Sequence, residues 1–288
     1  MKHMPANSDP NLPQLGGFRA IRELSPKLES LPVCKTFLAE NEFGKHFVLK
    51  SAFEGNSTAD TAPVRSARNA AQSRLAVETE IYGLGLRQVP KLVASGSEDG
   101  WRYLVTEYIT GRSLQSVVDE SGPLDSRRAV QLALQAAAPA ADLHHRGWLH
   151  RDIKPANFLF GDADEEIFLI DFGLAKPIED GQIPEDRISG TPAYLAPEAI
   201  ERRTTSPLSD IYSFGCTLYF LLSGRPPITG NNALEICSKQ IRCPPDAFPD
   251  ELEIPTQLRD LVMECLHKDP THRPQSFHSM LDRLISLS

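Results

Sequence analysis

"LHRDIKPANF" (149–158) sets Arg151 beside Asp152, places Lys154 two residues on, and adds the carboxamide of Asn157. A carboxylate, an ammonium and an amide oxygen held this close suit a reaction that moves a proton and a negative charge near a hard cation. A second stretch completes the set. "EIFLIDFG" (166–173) ends an apolar, strand-like run on the carboxylate of Asp171, with a glycine two residues later. Asn157 and Asp171 then offer two oxygen ligands, and Asp152 is left for a proton. Magnesium with phosphates suits such a site, because it prefers a few carboxylate or carbonyl oxygens completed by substrate oxygens. Lys154 can neutralise charge on a phosphoryl group in transit.

The texture of the chain differs on the two sides of residue 110. "FRAIREL" (18–24), "KTFLAE" (35–40), "KHFVLKSAF" (45–53), "KLVASGS" (91–97) and "WRYLVTEYI" (101–109) have the apolar or alternating look of sheet. Residues 54–63 are polar and breaker-rich, as a loop would be. Residues 64–86 have helical spacing, with Leu75, Val77, Ile81 and Leu84 near one face. Past Gly111 the periodicity is helical. Residues 124–147 read as a helix capped at Asp125 or Ser126 and kinked at Pro139. Residues 210–224 are apolar nearly all round, as a helix at the centre of a domain would be. Residues 256–269 and 276–286 are amphipathic helices, and there are no internal repeats. A small sheet lobe with one helix is expected first, then a larger helical lobe, with a hinge near Glu107–Gly111.

Composition narrows the class. Of 288 residues 41% are hydrophobic and 24% charged, ordinary for a globular chain. A net charge of −8 argues against a general nucleic-acid binder. Five scattered cysteines without a CxxC pair offer neither a disulfide framework nor a zinc site, and suit a reducing, cytoplasmic location. The longest suggestive apolar run, "CTLYFLL" (216–222), falls far short of the ~20 residues of a membrane span. Residues 1–17 lack the apolar core of a secretory signal and read as a disordered leader.

Taken singly, Lys50 is an ordinary strand lysine, Asp171 a turn residue and Asp152 an ion-pair partner of Arg151. Their joint order is what decides. HRDIKPAN (150–157), DFG (171–173), GTPAYLAPE (190–198), VLK (48–50), SDIYSFG (209–215) and HKDPTHRP (267–274) resemble the motifs of eukaryotic-type (Hanks-type) serine/threonine protein kinases, similar to bacterial members, over residues 18–286. The resemblance implies an α+β, two-lobed kinase-like fold. A small antiparallel-sheet N-lobe with one main helix would span about 18–108, and a larger helical C-lobe about 109–286, with ATP in the cleft between them.

The resemblance also implies roles. Asp152 accepts the proton of a protein Ser or Thr hydroxyl, and Lys154 balances charge on the moving phosphoryl group. Asn157 and Asp171 hold Mg²⁺, or Mn²⁺. Lys50 holds the α- and β-phosphates and is positioned by a helix glutamate. "ETEIYGL" offers Glu78 and Glu80, and the following I-x-x-L register favours Glu80. The backbones of Glu107 and Ile109 bind adenine, Thr106 lies behind them, and Val48 and Leu159 sandwich the ring. Glu198 with Arg273 resembles a buried structural ion pair, and Asp210 an anchor under the catalytic loop. His144 and His145, near a helix end, read as surface or capping groups.

Two stretches depart from the family. The loop that should carry G-x-G-x-x-G is "ELSPKLESLPVCKTFLA" (23–39), with no glycine between Gly17 and Gly44. Cys34 and Leu31 stand at the third and second glycine positions, where side chains obstruct close approach to phosphate. An enzyme binding phosphate by another route is one reading, and a nucleotide-binding scaffold with little turnover is the alternative. The activation segment "LAKPIEDGQIPEDRI" (174–188) contains no Ser, Thr or Tyr. Glu185 or Asp186 could take the place of a phosphate opposite Arg151, or these acids could form only a solvated loop. Thr191 is expected to orient the catalytic loop, which leaves Ser189 as the nearby acceptor. Ala156 stands where strongly arginine-directed kinases place a glutamate.

Overall fold

The computed structural model describes residues 12–24, 34–54, 61–163, 165–178, 183–184 and 188–288. It divides into two units. The first comprises residues up to Gly85 together with Pro90–Ile109, and the second comprises Leu86–Val89 with Thr110–Ser288.

In the first unit, β1 (Gln14–Leu15), β2 (Phe18–Glu23), β3 (Cys34–Glu40), β4 (His46–Phe53), β5 (Leu92–Glu98) and β6 (Trp101–Glu107) form one sheet in the order β1-β2-β3-β4-β6-β5. Every pairing is antiparallel. Strand alternation sends Phe37, Ala39, Phe47, Leu49 and Val105 to one face, where they pack with Leu15 and Ala20. Helix α1 (Ala62–Gly83) serves the other face. Its buried residues Ala71, Leu75, Glu78 and Tyr82 recur at intervals of three and four, as one stripe of a helix must. The leader ends earlier than the sequence reading placed it. Gln14 and Leu15 pair with Arg19 and Phe18, Leu15 is buried, and Gly16 and Gly17 turn the chain at φ 60° and 82°. A single apolar side chain beside two glycines was enough to add a strand, while residues 1–11 lie outside the described ones.

The second unit holds the remaining helices. α2 spans Leu114–Ser121, α3 Ser126–His145, α4 Pro197–Glu201, α5 Pro207–Ser223, α6 Ala233–Arg242, α7 Thr256–Cys265 and α8 Phe277–Ile285. Asp125 caps α3 by accepting from Arg128 N at 2.9 Å, a contact worth about 1 kcal/mol. α3 continues through Pro139. α5 is buried from Ser209 to Leu222, opens with a Ser206–Ser209 capping box and stops at Gly224 with φ 74°. It is the core about which the unit is built. Among the described residues no helix is long and apolar enough to cross a membrane.

Short strands deliver the chemistry-bearing segments. β7 (Gly111–Ser113), β9 (Phe158–Gly161) and β10 (Ile167–Leu169) form a sheet in the order β10-β9-β7. Gly111 is required there, since a Cβ would sit 2.1 Å from Phe160 O. β8 (Trp148–Leu149) pairs with β11 (Lys176–Pro177), and β12 (Ile183–Pro184) with β13 (Thr204–Thr205). β8 therefore runs directly into His150–Asp152, β9 begins just after Asn157, and β10 ends two residues before Asp171.

Candidate active site

In the first unit, alternation along β4 places Val48 and Lys50 on the face away from the Phe47–Leu49 core. Val48 is in register with Leu38 and Thr106, and Lys50 with Thr36 and Leu104. α1 packs on this face and brings Glu78 Oε2 to 2.5 Å from Lys50 Nζ, with both side chains largely buried. A buried carboxylate holds the ammonium in one place. Glu80, the residue favoured from sequence, is exposed. Two residues along a helix of 3.6 per turn is a rotation of about 200°, so Glu78 and Glu80 cannot share a face. Following the stripe Ala71-Leu75-Glu78-Tyr82 would have found the right one. Thr106 is buried, and Glu107 closes β6 with its N–H donating to Lys91 O at 3.0 Å. Ile109 is the last residue of this unit.

In the second unit the catalytic loop is built up from Asp210, in the first turn of α5. Its Oδ1 accepts from Arg151 N at 2.8 Å, and its Oδ2 from His150 N at 2.8 Å and His144 Nε2 at 2.9 Å. Burial alone would raise the pKa of this carboxyl. The hydrogen bond and charge of His144, with the backbone hydrogen bond from His150 N, outweigh burial and hold it below its usual range. The two backbone bonds stabilise Arg151 at φ 67°, a left-handed geometry that costs of order 1–3 kcal/mol for a non-glycine residue. His144 is therefore neither a surface nor a capping group. It is half-buried, bonded to Asp210 and edge-on to Phe277 at 5.0 Å. Nothing in its local sequence signals this, because its partner lies 66 residues away.

His150 joins the two key stretches. Its Nδ1 accepts from Asp152 N at 3.3 Å, so its Nε2 carries the proton and donates to Ile170 O at 3.1 Å. Its ring meets Phe172 edge-on at 5.2 Å. Ile170 N in turn donates to Asn157 O at 3.0 Å. The residue before Asp171 is thus tied to the catalytic loop from both sides, and Asp171 follows at φ 67°.

Around Asp152 every polar atom has a defined task. Lys154 Nζ donates to Asp152 Oδ2 at 2.6 Å and to Thr191 Oγ1 at 2.9 Å. Thr191 donates to Asp152 Oδ1 from its hydroxyl at 3.1 Å and its N–H at 3.2 Å. Asn157 Nδ2 donates to Asp152 O at 2.8 Å and Oδ2 at 3.2 Å, which leaves its Oδ1 as an acceptor. Gly190, at φ 120°, lets the chain pass this point, since a Cβ there would lie 2.7 Å from Leu195 and 3.3 Å from Arg151 O. Farther out, Arg273 binds Glu198 through two 2.8 Å bonds in a buried, planar pair that Ser209 Oγ also meets at 2.7 Å.

Residues 55–284 match the protein kinase domain. The chain belongs to the protein kinase family. Its relatives include serine/threonine-protein kinase PknB of Mycobacterium tuberculosis, 31% identical over 227 residues, covering 77% of this chain and 35% of that protein. A probable serine/threonine-protein kinase of Clostridium acetobutylicum is 33% identical over 194 residues, 66% of this chain and 29% of its own length. PknA of Mycobacterium tuberculosis is 35% identical over 175 residues, 60% of this chain and 40% of its own. The chain spans about a third of the length of these curated relatives. By their names these relatives are serine/threonine-protein kinases.

The kinase match begins beyond β4, so Lys50 stands on its geometry with Glu78. Oxygen donors suited to a hard divalent cation are present on segments joined by the Ile170–Asn157 bond: the Asn157 carboxamide, whose nitrogen is spent on Asp152, and the Asp171 carboxylate. Leu159 lies half-buried in β9. Arg151 Nη1 donates to Leu174 O at 2.9 Å in the activation segment. Glu179, Asp180, Glu185 and Asp186 lie outside the described residues, as do the lid residues 25–33.

Proposed function

We propose that this kinase domain transfers the γ-phosphoryl group of Mg-ATP to a serine or threonine hydroxyl of a protein. The arrangement of Asp152, Lys154, Thr191 and Asn157 carries this reading. Asp152 accepts the proton of the attacking hydroxyl, and Thr191 and Asn157 fix its carboxylate so that it need not reorganise as it does so. Lys154, shared between Asp152 and Thr191, donates to the oxygens of the phosphoryl group as charge shifts onto the leaving ADP. Lys50, held by Glu78, serves the α- and β-phosphates. Asn157 Oδ1 and Asp171 are the donors for Mg²⁺, which supplies neutralisation of phosphate charge when bound. Adenine contacts are assigned to the backbones of Glu107 and Ile109, with Thr106 behind them and Val48 and Leu159 as apolar neighbours.

Nothing among the described residues favours the scaffold alternative, and Lys50, Asp152, Lys154, Asn157 and Asp171, the groups suited to charge or proton work, are all in the chain. The protein partner is a substrate bearing a Ser or Thr acceptor, with no role for nucleic acid. The scattered cysteines favour a cytoplasmic setting. The test is labelled ATP with a protein substrate, followed by identification of the labelled amino acid. Label on serine or threonine that needs Mg²⁺ or Mn²⁺ and is lost in Asp171→Asn supports the reading. Label retained in Asp171→Asn contradicts it.

A further inference from the structure

Gln240 in α6 is wholly buried, and no role above uses it. A buried amide must satisfy both ends. Gln240 Nε2 donates to Ala193 O at 3.0 Å and Pro192 O at 3.3 Å, and its Oε1 accepts from Tyr212 Oη at 2.5 Å. Tyr212 Oη also accepts from Lys268 Nζ at 3.0 Å, and the tyrosine ring lies 4.9 Å from the guanidinium of Arg273. The next carbonyl along, Tyr194 O, accepts from Ser213 Oγ at 2.7 Å. Three successive carbonyls are therefore held by side chains of α5 and α6, directly after Thr191 has bonded to Asp152 and Lys154.

An acceptor hydroxyl within hydrogen-bond distance of Asp152 brings its flanking residues, spaced ~3.3–3.6 Å apart, alongside the segment that starts at Thr191. Residues 191–193 are half-exposed there. We propose that Gln240 is a positioning residue for the protein substrate, fixing through its two donated bonds the backbone of 192–194 against which that substrate docks. This rests on the kinase reading above. Glutamine is the residue the site needs: glutamate would set a carboxylate against two carbonyls, and an apolar side chain would take the side-chain donor from both, leaving Pro192 O only the 3.4 Å bond from Leu195 N.

The experiment compares wild type with Gln240→Glu and Gln240→Met on a peptide substrate. The expected result is a rise of about tenfold in KM for peptide, with kcat and KM for ATP within about two-fold of wild type, as loss of uniform binding requires. Faster amide exchange at Tyr194, whose N–H donates to Thr191 O at 2.9 Å, should accompany it. Tyr212→Phe keeps the ring and removes only the hydroxyl, so it gives a smaller rise of about two- to five-fold and serves if the Gln240 variants fold poorly. Unchanged peptide KM in folded variants, or an equal rise in KM for ATP, overturns the proposal. A wild type that labels no substrate overturns the kinase reading instead; unchanged Tyr194 exchange in the variants then overturns this one too.

Discussion

Lys50 depends on Glu78, and the consequence is measurable at single residues. Removing the charge in Glu78→Gln should lower kcat/KM for ATP by about 10- to 100-fold, the scale of a charge-assisted contact. Glu80→Gln should leave it within about two-fold; the reverse order would restore the choice made from sequence. Asp210 gives a second test, through pH. Its folded pKa lies below the unfolded value of 3.8, so the stability it contributes is present above pH 3.8 and lost as pH falls through the folded value. Asp210→Asn should therefore cost roughly 2–4 kcal/mol at neutral pH. In thermal melts the gap to wild type should close in the acid limb; a gap that stays constant with pH would contradict the assignment. Asp152, Lys154, Asn157 and Asp171 were all legible in the sequence, because the chain itself places three of them within six residues. Glu78 and His144 were not: one needed the correct helical stripe, the other a partner far along the chain.

Among the elements, β4 was readable because alternation marks a strand with one core face, β6 because it carries a short apolar run, and α5 because it is apolar all round. α6 was not read, since Gln240 is its sole fully buried residue and its start is set by Asn232 accepting from Glu235 N at 2.9 Å. β1 was missed because two residues carry no period. α1 offers a packing test: Leu75→Ala removes a buried side chain from the stripe facing the sheet and should cost about 2–5 kcal/mol in denaturant unfolding. A loss below about 1 kcal/mol would mean that the stripe is not a packed surface. For the activation segment, the absence of Ser, Thr and Tyr from 174–188 leads to the hypothesis that Glu185 or Asp186 replaces a phosphate opposite Arg151. Ser189→Ala should then keep activity, and Glu185→Gln with Asp186→Asn should lose several-fold in a peptide assay. The opposite pattern would dispose of the idea.

At the scale of the whole molecule, the kinase match and the fold agree from residue 55 onward, and ahead of that match the lid departs from the family pattern, with no glycine between Gly17 and Gly44. Lid amides should therefore add little to phosphate binding, and ATP and adenosine should bind with similar strength in calorimetry. ATP far tighter than adenosine, through residues 25–34, would show that the lid has found another way. Ala156 leads to a further expectation for peptide arrays: no dominant demand for arginine two residues before the acceptor, despite the net charge of −8. Enzyme and scaffold are separated most directly by Asp152→Asn, which keeps the size and most hydrogen bonds of the residue but cannot take a proton. Nucleotide affinity and single-turnover phosphoryl transfer should be measured on the same preparations. The expected result is unchanged ATP affinity with transfer slowed by about 10²–10⁴-fold; wild type transferring phosphate no faster than Asp152→Asn would contradict catalysis by this site.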